Sequence, residues 1–168
     1  LSLHDALPIS QPYMKADYRI FVAEVASTVN EVLLIKYLLA NEKDEKLKKY
    51  LLSYLLEMIR TTLFRQTQFA EFEEFSHGEV EKGEPLTKDK MCEEYLKLNE
   101  KYYGKAVVSD EEIKYEWARI PHFYSAFYVY KYATGIISAL AIADRILKEG
   151  EPAVKDYFDF LSSGGSGA

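Results

Sequence analysis

Apolar residues recur three or four positions apart through most of the chain, which is the period of a helix. Between residues 15 and 40 the stripe is Tyr18, Val22, Val25, Val29, Val32, Leu33 and Lys36. Several of these residues are β-branched, which weakly favours a strand. The length without Gly or Pro favours a helix, with Asn41 as its C-cap. A second stripe on the same helix, Glu24, Ser27, Thr28 and Glu31, falls at i, i+3, i+4 and i+7. The pattern predicts another long helix over residues 44–74, with Leu47, Leu51, Leu52, Leu55, Ile59, Leu63 and Phe64 as its apolar face. Gly78, Gly83 and Pro85 then break the pattern. Thr87 is placed to N-cap a third helix, with Lys90 rather than Glu at the third position, and Gly104 ends it. Ser109 and Glu112 have the spacing of a capping box for residues 110–119. Pro121 opens an apolar stretch that reads as one long buried helix over 122–148. A short amphipathic helix over 151–161 and a glycine-containing end at Gly164, Gly165 and Gly167 close the chain. The fold class is all-α, a long-helix bundle, with no repeats and no internal domain boundary.

Composition narrows the function classes. The 168 residues are 48% hydrophobic and 29% charged, values that suit a folded chain and exclude collagen-like or wholly disordered ones. A net charge of -6 argues against nucleic-acid and anionic-membrane partners. Lys131 and Asp144 interrupt the last apolar run, so it does not read as a membrane span. The single Cys excludes an internal disulfide and a Cys-rich zinc site, and makes a reducing compartment the default. The three His, at positions 4, 77 and 122, are too far apart for a His-Glu-x-x-His zinc pair.

The segment LSLHDALPIS, residues 1–10, has neither the basic start nor the apolar run of a signal peptide. Its back-translation through Ile9 fits a short-read sequencing adapter, which makes residues 1–10 non-native and gives His4 no role. On this reading the native part is 11–168, and the natural protein extends upstream of Gln11.

Candidate chemistry is sparse. Glu24 sits in the apolar string FVAEVAST, and a carboxylate there needs a partner. Metal coordination is one solution. Pairing with Lys or Arg, or facing water, is the other. His122 stands at a predicted helix start with Tyr124, Tyr128 and Tyr132 following at intervals of four. Imidazole and phenols facing a cleft can stabilise a developing oxyanion. An aromatic core stripe with hydroxyls at the surface has the same spacing. Cys92 has no His near it in sequence and reads as a buried or surface thiol rather than a nucleophile. His77 reads as a solvated loop residue, and the acidic run 71–84 as a solvated helix end.

Four strings, ADYRIFVAEVASTVNE at 16–31, RQTQFAEFE at 65–73, GEPLT at 83–87 and YEWARIPHFYSAFYVYKYATG at 115–135, resemble the oligoendopeptidase F group of thimet-type zinc metallopeptidases in content, order and spacing. The resemblance covers residues 11–166. It implies a gluzincin-type helical peptidase domain, of which this chain is the C-terminal part of the catalytic domain, enclosing a channel for short peptide substrates. In that family a His-Glu-x-x-His helix supplies two zinc ligands and the general base, and a Glu on the following helix supplies the third ligand. The family motif FVAEVAS matches residues 21–27, so Glu24 corresponds to that ligand. Zinc held by two His and one Glu keeps a position open for the water it activates. Glu31 is assigned to orienting a His ligand from behind. The segment 119–135 makes His122, Tyr128 and Tyr132 the substrate and oxyanion contacts, with Tyr128 first.

The sequence departs from the family by lacking His-Glu-x-x-His. The resemblance therefore implies that the chain alone holds zinc weakly or not at all and is inactive. It also implies that the missing N-terminal part of the protein is its necessary partner, and that a second truncation falls near Ser166. The implied localisation is cytoplasmic. A self-contained helical binding module with an aromatic groove and no catalysis is the alternative, and a helical regulatory fragment a third.

Overall fold

The computed structural model describes residues 12–15 and 20–163. Residues 1–11, with the adapter-like string and His4, lie outside the described residues, as do Tyr18 and the glycine-containing end. Among the described residues every regular element is helical. The helices are α1 (Ile20–Asn41), α2 (Glu45–Ile59), α3 (Arg65–Glu81), α4 (Lys88–Tyr103), α5 (Tyr130–Glu149) and α6 (Glu151–Ser162). Shorter 3₁₀ segments cover Tyr13–Lys15, Glu111–Arg119 and Pro121–Tyr124. Among the described residues no helix is long and apolar enough to cross a membrane.

The chain divides into two compact units, one of Leu1–Ile59 with Thr134–Ala168 and one of Arg60–Ala133. In the first, Val25 and Val29 of α1 meet Ala139 of α5 and Tyr157 of α6, surrounded by Phe21, Leu33, Ile142, Ile146, Phe160 and Leu161. Tyr157 also ties α6 to α1 by polar bonds. Its hydroxyl donates to the Ala26 carbonyl at 3.0 Å and accepts from Asn30 Nδ2 at 2.7 Å. No residue of α2 is buried, and Tyr50, Leu52, Tyr54 and Leu56 are exposed.

In the second unit Phe69 and Phe72 of α3 pack with Tyr95 and Leu98 of α4, Ile120 and Val129. Phe72 meets the Tyr95 ring edge-on at 5.2 Å, a favoured aromatic geometry. Beside this core Glu116 is buried, accepting from Arg65 at 2.7 Å and from the Tyr95 hydroxyl at 2.7 Å. Burial opposes ionisation of Glu116, but the bonds from Arg65 and Tyr95 outweigh it and hold its pKa below the ordinary carboxylate value. The same burial and hydrogen bond push the Tyr95 hydroxyl strongly up.

Local chemistry explains the ends of α4. The Thr87 side chain accepts from the Lys90 N–H, and Gly104 closes the helix at φ 64, a conformation that favours glycine.

Four sequence expectations are corrected. The predicted helix over 44–74 runs on to Glu81, passes through Gly78, and contains a π-helical turn at Arg60–Phe64. Carbonyls loosened by that turn receive side chains: Thr67 Oγ1 donates to Leu63 O at 2.7 Å and Gln66 Nε2 to Thr61 O at 3.4 Å. The Ser109–Glu112 capping box does not form. Asp110 takes the N-cap position without a side-chain bond, Ser109 Oγ accepts from Asn99 Nδ2, and the element is 3₁₀. The helix expected over 122–148 is interrupted at 125–129 and begins at Tyr130, because Phe127 adopts φ 56. It is also amphipathic rather than wholly buried, with Ile136, Ala139 and Ala143 inside and Ile137 and Leu147 outside. Finally, His77 is exposed but helical, and the acidic run is not uniformly solvated, because Glu73 within it is buried.

Candidate active site

The predicted site residues fall in both units. In the first unit, Glu24 stands on α1 between buried Ala23 and Val25 and is itself half-buried. Among the described residues no hydrogen bond or ion pair engages its carboxylate. Of the two sequence alternatives, pairing with Lys or Arg therefore does not occur among these residues. A Cβ built on Gly135 of α5 would lie 3.8 Å from the Glu24 Cβ, so α5 passes close to Glu24 at a residue without a side chain. Glu31, two turns further along α1, is exposed and accepts from the Tyr54 hydroxyl of α2 at 3.0 Å. That bond is the leading cause raising the Tyr54 pKa.

In the second unit the chain brings His122, Tyr128 and Tyr132 together. The His122 and Tyr128 rings are stacked at 6.2 Å, and Tyr132 meets both edge-on, at 6.1 Å from His122 and 5.4 Å from Tyr128. The Tyr132 and Tyr128 hydroxyls are hydrogen-bonded at 3.0 Å. His122 Nδ1 is buried, and among the described residues it has no hydrogen-bond partner. Lys131 Nζ lies 5.3 Å from the centre of the Tyr128 ring. Tyr124 does not join them. It is 91% exposed, because the four-residue spacing assumed a helix that residues 125–129 do not form.

The chemistry of this cluster is donation. Two phenols and an imidazole on one short stretch offer hydrogen bonds to an oxygen that gains negative charge. Glu24 fits a single ligand position, a half-buried carboxylate without a protein partner. Among the described residues no three His, Cys, Asp or Glu side chains gather as a metal site. One carboxylate does not make a zinc centre, because a catalytic zinc takes three protein ligands.

Comparison with known proteins identifies the lineage. The family model described as Peptidase family M3 matches residues 2–168. The chain belongs to peptidase family M3. The chain is 55% identical over 156 residues to the oligopeptidase PepF of Bacillus subtilis, covering 93% of this chain and 23% of the relative. It is 45% identical over 166 residues to an oligoendopeptidase F homolog of Lactococcus lactis, covering 98% of this chain and 28% of the relative. Its structure is similar to the crystal structure of oligoendopeptidase-F from Enterococcus faecium, with a TM-score of 0.86 and 47% identity over 96% of this chain and 30% of that one. It is also similar to that of a putative peptidase from Chlamydophila abortus, with a TM-score of 0.90 and 44% identity over 98% of this chain and 28% of that one. The chain thus spans about a quarter of the length of its M3 relatives.

Sequence reasoning missed two features of this M3 chain. One is Glu73, buried on α3 beside Phe69 and Phe72. Its signal was available, since a carboxylate directly after Phe72 and one helical turn after Phe69 is the same kind of anomaly that singled out Glu24. The other is the left-handed Phe127, for which the sequence carries no glycine signal.

Proposed function

We propose that this chain is part of the catalytic domain of a zinc-dependent metalloendopeptidase that hydrolyses short oligopeptides. Glu24 is one zinc ligand. The sequence contains no His-Glu-x-x-His, so this reading takes the two histidine ligands and the general base from outside these residues. His122, Tyr128 and Tyr132 hold the scissile carbonyl, and Tyr128 donates to its oxygen as charge develops there. Tyr132, in the first turn of α5, orients the Tyr128 hydroxyl. Glu31 orients a histidine ligand from behind. Membership of the M3 family supports the reaction class. The observation that carries the site reading is the Tyr132-to-Tyr128 hydrogen bond. Either hydroxyl can supply the proton of that bond, so the pair keeps one phenol proton to donate.

The test is a chimera in which residues 20–163 replace the matching segment of the Bacillus subtilis oligopeptidase. The expected result is chelator-sensitive hydrolysis of a short fluorogenic peptide, with no hydrolysis by the 168-residue chain alone. A folded chimera that binds zinc and cleaves nothing rejects the reading in favour of a non-catalytic helical module.

A further inference from the structure

The turn that delivers Tyr128 to His122 is held from α3, and its conformation is not one Phe127 chooses. Phe127 has φ 56, and a bulky residue in that region is a genuine outlier. Its N–H donates to Glu73 Oε1 at 2.6 Å, across 54 positions of sequence. Its ring lies over the His77 ring at 4.6 Å, and His77 follows Glu73 by one helical turn on α3. One face of α3 therefore takes both the amide and the side chain of the residue next to Tyr128.

Glu73 has no simpler explanation. It is 4% exposed, and among the described residues no cation pairs with it. A buried carboxylate without a counter-ion is unfavourable for stability, so core packing alone does not account for it. A carboxylate accepting a backbone N–H makes a short, charge-assisted bond, stronger than a neutral acceptor provides.

We propose that Glu73 is a positioning residue for the tyrosine cluster. It fixes Phe127 in the left-handed conformation and thereby sets the Tyr128 hydroxyl against that of Tyr132 and the Tyr128 ring beside His122. The functional half of this inference rests on the reading of Tyr128 as a hydrogen-bond donor. The structural half does not.

Amide hydrogen exchange on the 168-residue chain tests the structural half without any variant. The Phe127 N–H should exchange at least about tenfold more slowly than that of neighbouring Ala126, because only the former is bonded. Equal rates overturn the proposal. Glu73→Leu should accelerate that exchange and, in the chimera, lower kcat by at least about tenfold with KM and zinc content little changed. Glu73→Gln keeps a side-chain acceptor without the charge and should fall between the parent and the Leu variant in both quantities. A Gln variant as impaired as the Leu variant overturns the proposal. Faster exchange in Glu73→Leu with an unchanged kcat leaves the clamp standing and removes Tyr128 from the chemistry.

Discussion

The hydroxyls of Tyr132 and Tyr128 are hydrogen-bonded across 3.0 Å, although the two residues belong to different local structures. Tyr132 sits in the first turn of α5, and Tyr128 precedes that helix in the interrupted stretch. Either phenol can supply the proton of that bond, so the geometry couples the two hydroxyls and the ranking comes from the proposed role of Tyr128. On the proposed reading Tyr128 donates to the substrate and Tyr132 supports it.

The ranking yields a graded prediction. In the chimera Tyr128→Phe should lower kcat by roughly 2–4 kcal/mol of transition-state stabilisation, the range for an oxyanion donor, with zinc retained. Tyr132→Phe should cost less, about 1 kcal/mol, because it removes a neutral hydrogen bond rather than the donor itself. Steady-state kinetics with parallel metal analysis checks both. A larger loss for Tyr132→Phe reverses the assignment.

The Glu116 network makes the second unit sensitive to acid. Its folded pKa lies below the ordinary value of 4.5, so ionised Glu116 is favoured in the folded state. The stability it contributes is present above that value and is lost as pH falls through the lowered one. Trp117, the only Trp, packs against the core of the same unit and reports its unfolding by fluorescence. Urea midpoints should be flat near neutrality and decline below about pH 4.5. Glu116→Gln should weaken this decline and cost about 3 kcal/mol near neutral pH, by breaking a buried pair with Arg65. Midpoints indifferent to acid in the parent would contradict the network.

Tyr157 makes a separate prediction in the first unit. Burial is the leading cause raising its pKa, which keeps the hydroxyl neutral. Tyr157→Phe removes the bond to the Ala26 carbonyl and the acceptor for Asn30, and should destabilise that unit by about 1–2 kcal/mol. Thermal unfolding followed by circular dichroism measures it. A neutral substitution would mean that α6 is held to α1 by apolar contact alone.

Legibility in the sequence followed the range of the causes. Thr87 and Gly104 bracket α4 as the sequence predicts because cap chemistry acts over three or four residues. The break at 125–129 was not legible because its determinant, Glu73, lies 54 positions away. Pro121, followed by a Gly-free apolar run to Thr134, therefore read as continuous helix. Tyr128 and Tyr132 were brought together as their spacing indicated, while Tyr124 was lost with the helix that spacing assumed. Glu24 was legible as an anomaly because a carboxylate among Val and Ala demands a reason. Its lack of a protein partner among the described residues keeps that demand open.

The proposed chemistry stands or falls with Glu24 as a metal ligand, and metal content reads that role without an intermediate. Zinc in the purified chimera is measured by plasma emission alongside that of Glu24→Gln, with circular dichroism to establish that both are folded. The expected result is about one zinc per chain in the parent and a loss of most of it in Glu24→Gln, since the amide keeps the shape but not the charge. Equal zinc in the two folded proteins would contradict the ligand role.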